Sequence, residues 1–167
     1  LLDICATSDG AAALIVASKS FAEKHLGSVQ GVPSVRGISL QTPRYPQHLP
    51  ELPDIATDST AVVAAPDRVF KDQILDAAYA EAGIGPEDLS LAEVYDLSTA
   101  LELDWYEHLG LCDKGDAEQL LRSGATTIGG RIPVNPSGGL ACFGEAIPAQ
   151  AIAQVCELTW QLKGQAT

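Results

Sequence analysis

The order of apolar and polar positions divides the chain into short strand-like and helix-like stretches. Residues 11–17, AAALIVA, form an unbroken small and apolar run, the length of a strand buried on both faces. KSFAEKHLG follows it and reads as a short helix stopped by Gly27. Residues 32–40, VPSVRGISL, are rich in β-branched side chains and predict a second strand. From Gln41 to Asp58 four prolines rule out regular structure and predict a long surface excursion. The period then becomes helical: Val69, Phe70, Ile74, Ala77 and Ala78 share one face between Pro66 and Gly83. GPEDL makes a turn, SLAEVYD a short strand ending at Tyr95 and Asp96, and STALELDWYEHLG a helix that stops at Gly110. A short helix is expected over about residues 116–122. A last one runs from about Pro148 to Leu162, with Ala151, Ile152, Val155, Thr159 and Leu162 facing inward and Gly164 closing it. Strands alternating with helices predict an α/β layered domain over residues 1–167, without internal repeats or a linker.

Composition narrows what such a domain can do. With 167 residues, 46% of them hydrophobic, the chain can bury a core without disulfides or metal. Methionine is absent and the chain opens on LLDICATSDG, so it is expected to be a piece of a longer protein. No leader and no apolar run of about 18 residues is present, and the expectation is a cytoplasmic protein with no membrane span. Cys5, Cys112, Cys142 and Cys156 form no C-x-x-C pair and His25, His48 and His108 do not join them, so no metal site is expected. The formal charge of −12 repels a phosphate backbone and argues against nucleic acid. Any anionic ligand needs Arg44, Lys114, Arg122 and Arg131 to gather locally, or a basic segment from elsewhere.

Two stretches carry candidate chemistry. Tyr95 and Asp96 stand at the C-terminal end of a predicted strand, where ligands of open α/β sheets collect. A phenol there can donate to an oxygen gaining negative charge or shuttle a proton; equally, it can be a half-buried tyrosine beside an Asp96 that caps the next helix with Ser98 or Thr99. The second stretch is the short loop from Ser137 to Ala146. Gly138, Gly139 and Gly144 let the backbone approach a ligand closely, and Glu145 precedes a helix start that stabilises a carboxylate with or without a catalytic role. The loop fits neither a P-loop nor a dinucleotide fingerprint. Cys142 and Cys5 read as packing residues, His108 as a partly exposed surface histidine, and Trp105, Tyr106 and Trp160 as core or interface.

The motifs SDGAAA at 8–13, AGIGPED at 82–88, EVYD at 93–96 and NPSGG at 135–139, in that order, resemble the C-terminal half of thiolase-superfamily proteins of the sterol-carrier, lipid-transfer branch. The resemblance covers nearly the whole chain. It implies a thiolase-like fold, a five-stranded mixed sheet layered with helices, whose final strands lie beyond this sequence. It also implies a similar N-terminal half as partner, a homodimer or tetramer, and coenzyme A thioesters as substrates with no bound cofactor. Where the family carries histidine or asparagine in the EVxD turn, this chain has Tyr95; where the glycine loop continues into Gly-His-Pro, it has Gly144-Glu145-Ala146. Tyr95 resembles the thiolase-like aldolases of steroid side-chain breakdown, which work with an OB-fold and zinc-ribbon partner, although a second tyrosine is expected in them at the Glu145 position.

The leading expectation is an enzyme that splits a β-hydroxyacyl-CoA by a retro-aldol route, with Tyr95 and Glu145 catalytic and Asp96, Ser137, Gly138, Gly139 and Gly144 binding substrate. The alternatives are an acetyl-CoA acetyltransferase-type thiolase and a subunit that only binds acyl-CoA or lipid.

Overall fold

The computed structural model describes residues 3–42 and 70–166, in two compact units that are taken separately. The larger comprises residues 1–35 and 86–167, the smaller residues 36–85.

In the larger unit, helix α1 (Lys19–Leu26) is bounded as its sequence requires. The Ser18 hydroxyl accepts from the Phe21 N–H at 3.2 Å, and Gly27 ends the helix with φ 74°. After a single 3-10 turn (Pro86–Asp88), α3 (Thr99–His108) starts on a Ser98 cap and α4 (Ala117–Arg122) follows Asp116. A five-residue helix, α5 (Gly139–Phe143), interrupts the stretch expected to be a glycine loop, and α6 (Ala149–Leu162) closes the unit. In the smaller unit α2 (Phe70–Ala82) packs close to Gly37, and the Ile38 N–H donates to Glu81 Oε2 at 2.9 Å. Most of the proline-rich excursion, His48 and Arg44 included, lies outside the described residues, as does Val69.

Strand structure is sparser than the expected five-stranded sheet. Among the described residues it is limited to isolated bridges: Ala92 parallel to Val134, Thr7 parallel to Glu145, and Ile4 antiparallel to Ser98. Residues 91–96 nonetheless behave as half a strand. Ala92, Val94 and Asp96 are buried in alternation, the period of extended chain with one face on a core. That core joins Ala92, Val94 and Val134 to Tyr106, Leu111, Ala117 and Ile132, with Tyr106 and Ile132 fully buried.

Three expectations are corrected. Residues 11–17 form no strand and are not buried: Ile15 is 95% exposed, because among the described residues no neighbouring segment pairs with the run. Residues 32–40 likewise form no strand, and Val32 and Val35 stand exposed in the larger unit and Ile38 and Leu40 in the smaller. Helix α6 is turned from its expected orientation. Its apolar Ile152, Val155 and Leu162 are exposed, while Gln150 is buried and Gln154 donates to the Val94 carbonyl. The Gln154 amide satisfies a backbone carbonyl that an apolar side chain could not.

Candidate active site

Segment 92–96 carries the site, held through the backbone of Ala92, Val94 and Tyr95. Ala92 N–H donates to the Pro133 carbonyl, and the Ala92 carbonyl accepts from Asn135 N–H at 2.8 Å. The Asn135 side chain turns back, its Oδ1 accepting from Val94 N–H at 2.7 Å. On the other side Gln154 Nε2 donates to the Val94 carbonyl at 2.7 Å, and the Trp105 indole N–H donates to the Tyr95 carbonyl at 3.1 Å. A side chain on so constrained a backbone arrives preorganised.

Alternation sends Glu93 and Tyr95 to one face and Asp96 to the other. Ser137 donates to Glu93 through both its N–H, at 3.1 Å, and its hydroxyl, at 2.8 Å, and that hydroxyl accepts from Gly139 N–H. Asp96 is 5% exposed and accepts from Leu140 N–H at 2.8 Å, so it caps α5 across the fold, whereas Ser98 alone caps α3. Gly139 lies so close to the Asp96 carboxylate that any Cβ would collide with it. Gly138, with φ 94°, begins α5 and Gly144, with φ 77°, ends it. Thus Asp96, Ser137, Gly138 and Gly139 form one braced loop, with their polar groups engaged within the chain.

Burial pushes the Glu93 carboxyl above its ordinary value, and the Ser137 hydrogen bonds pull the other way. A raised carboxyl favours the fold fully below its unfolded value, about 4.3, and that contribution is lost as pH rises through the folded value. Relative to the parent protein, Glu93→Gln should therefore gain melting temperature as pH increases from about 4 to about 7. Thermal melts at fixed ionic strength check this, and a difference independent of pH would mean that Glu93 titrates as a free carboxyl.

Tyr95 and Glu145, fifty residues apart, meet directly: the phenol donates a hydrogen bond to Glu145 Oε1. Glu145 is anchored through its backbone, with its N–H on the Ala6 carbonyl at 2.8 Å and its carbonyl accepting from Ser8 N–H at 3.1 Å. The bond to Glu145 raises the Tyr95 phenol above its ordinary range; partial burial and the glutamate's charge add to this, and a hydrogen bond from Gln150 opposes it. Cys5 stands beside the pair, its thiol raised by burial and by the charges of Glu145 and Asp96. A cavity of about 150 Å³ adjoins it, lined by Cys5, Asp96, Thr99 and Glu102 among others.

A phenol bonded to a carboxylate can pass a proton in either direction while its oxygen accepts another. Among the described residues no group of three or more His, Cys, Asp or Glu side chains could hold a metal, and no helix is long and apolar enough to cross a membrane. His108 departs from its expected surface setting: its side chain is 9% exposed and its Nε2 lies 3.2 Å from Asp104. Of the basic residues, Arg122 pairs with Glu118 and Arg131 donates to the Leu111 carbonyl. Sequence reasoning passed over Gln150 and Gln154, although two amides one turn apart in a mostly apolar helix are a readable signal.

The thiolase C-terminal domain-like family model matches residues 56–167. Sterol carrier protein 2 of Rattus norvegicus is 34% identical over 166 residues, which is 99% of this chain and 28% of that protein. The benzoylsuccinyl-CoA thiolase subunit BbsB of Thauera aromatica is 33% identical over 165 residues, covering 99% of this chain and 39% of its own. Among solved structures, the Ltp2-ChsH2(DUF35) aldolase superposes with a TM-score of 0.52 at 32% identity, over 57% of this chain and 24% of that one. The chain therefore spans well under half the length of these relatives.

Proposed function

The chain belongs to the thiolase C-terminal domain-like family, and from that premise we propose that the whole protein cleaves a β-hydroxyacyl-CoA by a retro-aldol route. The Tyr95–Glu145 hydrogen bond carries this reading. Tyr95 Oη takes the proton of the β-hydroxyl as its own proton passes to Glu145. The Cα–Cβ bond breaks, the former hydroxyl oxygen becomes the carbonyl of a released ketone or aldehyde, and the electron pair moves into the thioester as an enolate. The proton returns through the pair to Cα, which leaves a shortened acyl-CoA. Every atom is accounted for without a covalent cysteine intermediate.

A carboxylate suits this step better than thiolysis, in which it would face a developing thioester oxyanion with like charge. The aldolase in the name of the structural neighbour supports the reading, and its two-component name supports a partner, expected to be of the OB-fold and zinc-ribbon type. Exposed apolar side chains such as Ile15, Val16, Val155 and Leu162 favour cover by an N-terminal half and a second copy. A sterol-like or other branched acyl chain is the proposed substrate, in keeping with the relative named for sterol carriage.

The relative named as a thiolase favours a second reading, thiolysis of a β-ketoacyl-CoA with Glu145 protonated. One experiment separates the two. The whole protein, with any co-purifying partner, is offered a branched β-hydroxyacyl-CoA and, separately, a β-ketoacyl-CoA with free coenzyme A, and products are read by mass. Ketone or aldehyde from the first is the expected result. Thiolysis of the second alone would replace the aldolase reading, and binding of both without turnover would make the protein a carrier.

A further inference from the structure

Two side chains from different helices hold the backbone on either side of Tyr95. A peptide unit is planar, so the direction of a side chain is set once the two planes flanking its Cα are set. The plane before Tyr95 contains the Val94 carbonyl, which accepts from Gln154 Nε2 of α6 at 2.7 Å. The plane after it contains the Tyr95 carbonyl, which accepts from the Trp105 indole N–H of α3 at 3.1 Å. Bonds from backbone to backbone hold Ala92, on Pro133 and Asn135, and resume at Leu97, whose carbonyl accepts from Cys5 N–H at 2.9 Å. Between those points Val94 and Tyr95 are held by side chains. Trp105 is itself steadied: it is half-buried against the core of the larger unit, and its ring meets that of His108 edge-on at 6.3 Å. A productive pair of groups tolerates a misalignment of only about 10–20°, and the phenol oxygen stands at the far end of a long rigid side chain, where a small tilt of the backbone is magnified.

We propose that Trp105 and Gln154 are the positioning residues of the Tyr95–Glu145 pair: the indole N–H and the amide N–H fix the two peptide planes that flank Tyr95 and so hold its phenol on Glu145. Only the expected effect on turnover rests on the retro-aldol reading. The bond to Glu145 is the largest influence raising the Tyr95 phenol, so a released clamp lets the phenol lose its proton at lower pH.

The test uses the whole protein with Trp105→Phe, which keeps an aromatic ring against the core and removes the donor, and with Gln154→Met, which keeps length and removes the amide. The Tyr95 titration is followed by NMR of ring-labelled tyrosine, with its signal assigned by its loss in Tyr95→Phe. The expected result in each variant is a titration displaced to lower pH and a kcat on a β-hydroxyacyl-CoA lowered roughly ten- to hundredfold at little-changed KM. Added to Glu145→Gln, which already breaks the relay, neither substitution should lower kcat much further. An unmoved Tyr95 titration in the folded variants overturns the proposal, even in an active aldolase. A kcat loss that is equal with and without Glu145 also overturns it, since a merely structural role would act in both backgrounds alike. A displaced titration in a protein that performs no retro-aldol cleavage upholds the clamp and removes only its effect on turnover. Where a variant does not fold, hydrogen exchange of the Trp105 indole N–H in the unaltered protein decides: slow exchange supports the clamp, and exchange at the rate of a free indole overturns it.

Discussion

Glu145→Gln in the whole protein should lower kcat on a β-hydroxyacyl-CoA by about 10²–10⁴-fold, with a much smaller change in KM. Glutamine keeps the shape and can still accept the Tyr95 hydrogen bond, so the pocket and the bound substrate change little. What it cannot do is receive the phenolic proton as that phenol takes another from the substrate. Tyr95→Phe should give a loss of the same order by removing the other half of the relay, and a phenylalanine ring fills the same half-buried position. Because the two groups act as one unit, the double variant should be little worse than either single one. Steady-state kinetics on the four proteins decide it. Losses that multiply would mean that the two residues act independently, and a rise in KM at constant kcat would reduce Glu145 to a binding group.

Much of this candidate site is legible in the sequence. Both ends of α1 and the start of α3 follow from Ser18, Gly27 and Ser98, since caps are local chemistry written in one or two residues. The order of four short motifs singled out Tyr95 and Glu145, and the fold brings them together although fifty residues separate them. Asp96 shows the limit. Its neighbours Ser98 and Thr99 suggested a local cap, but its carboxylate serves Leu140, forty-four residues on, in room that only a glycine at 139 leaves for it. Strand pairing is non-local in the same way. The run 11–17 has a strand's composition, but a strand also needs a neighbour, and apolar composition cannot say whether that neighbour is present. The amide face of α6 was hidden by averaging: its apolar residues dominate the helical pattern, while Gln154 makes its specific contact and Gln150 is the residue it buries.

Gly144→Ala should destabilise the fold by roughly 3 kcal/mol or more and take activity down with it. Gly144 combines φ 77° with ψ 178°, a region that is essentially glycine's alone. An added Cβ would also lie 2.7 Å from the Ala6 carbonyl oxygen and 2.8 Å from the Ser8 side chain. The carbonyl is backbone and cannot rotate away, so either the 6–8 segment or the loop must move. Both movements break the same bridge, because Glu145 is held through its N–H on Ala6 and its carbonyl on Ser8 N–H. Gly164→Ala separates conformation from collision: its φ is 63°, but a Cβ there meets nothing within 4 Å. That variant should lose only about 1 kcal/mol and keep full turnover. Denaturant unfolding paired with kinetics measures both effects. Equal losses in the two alanine variants would mean that the 6–8 segment yields freely, and that Glu145 owes its place to the Tyr95 hydrogen bond and not to the backbone bridge.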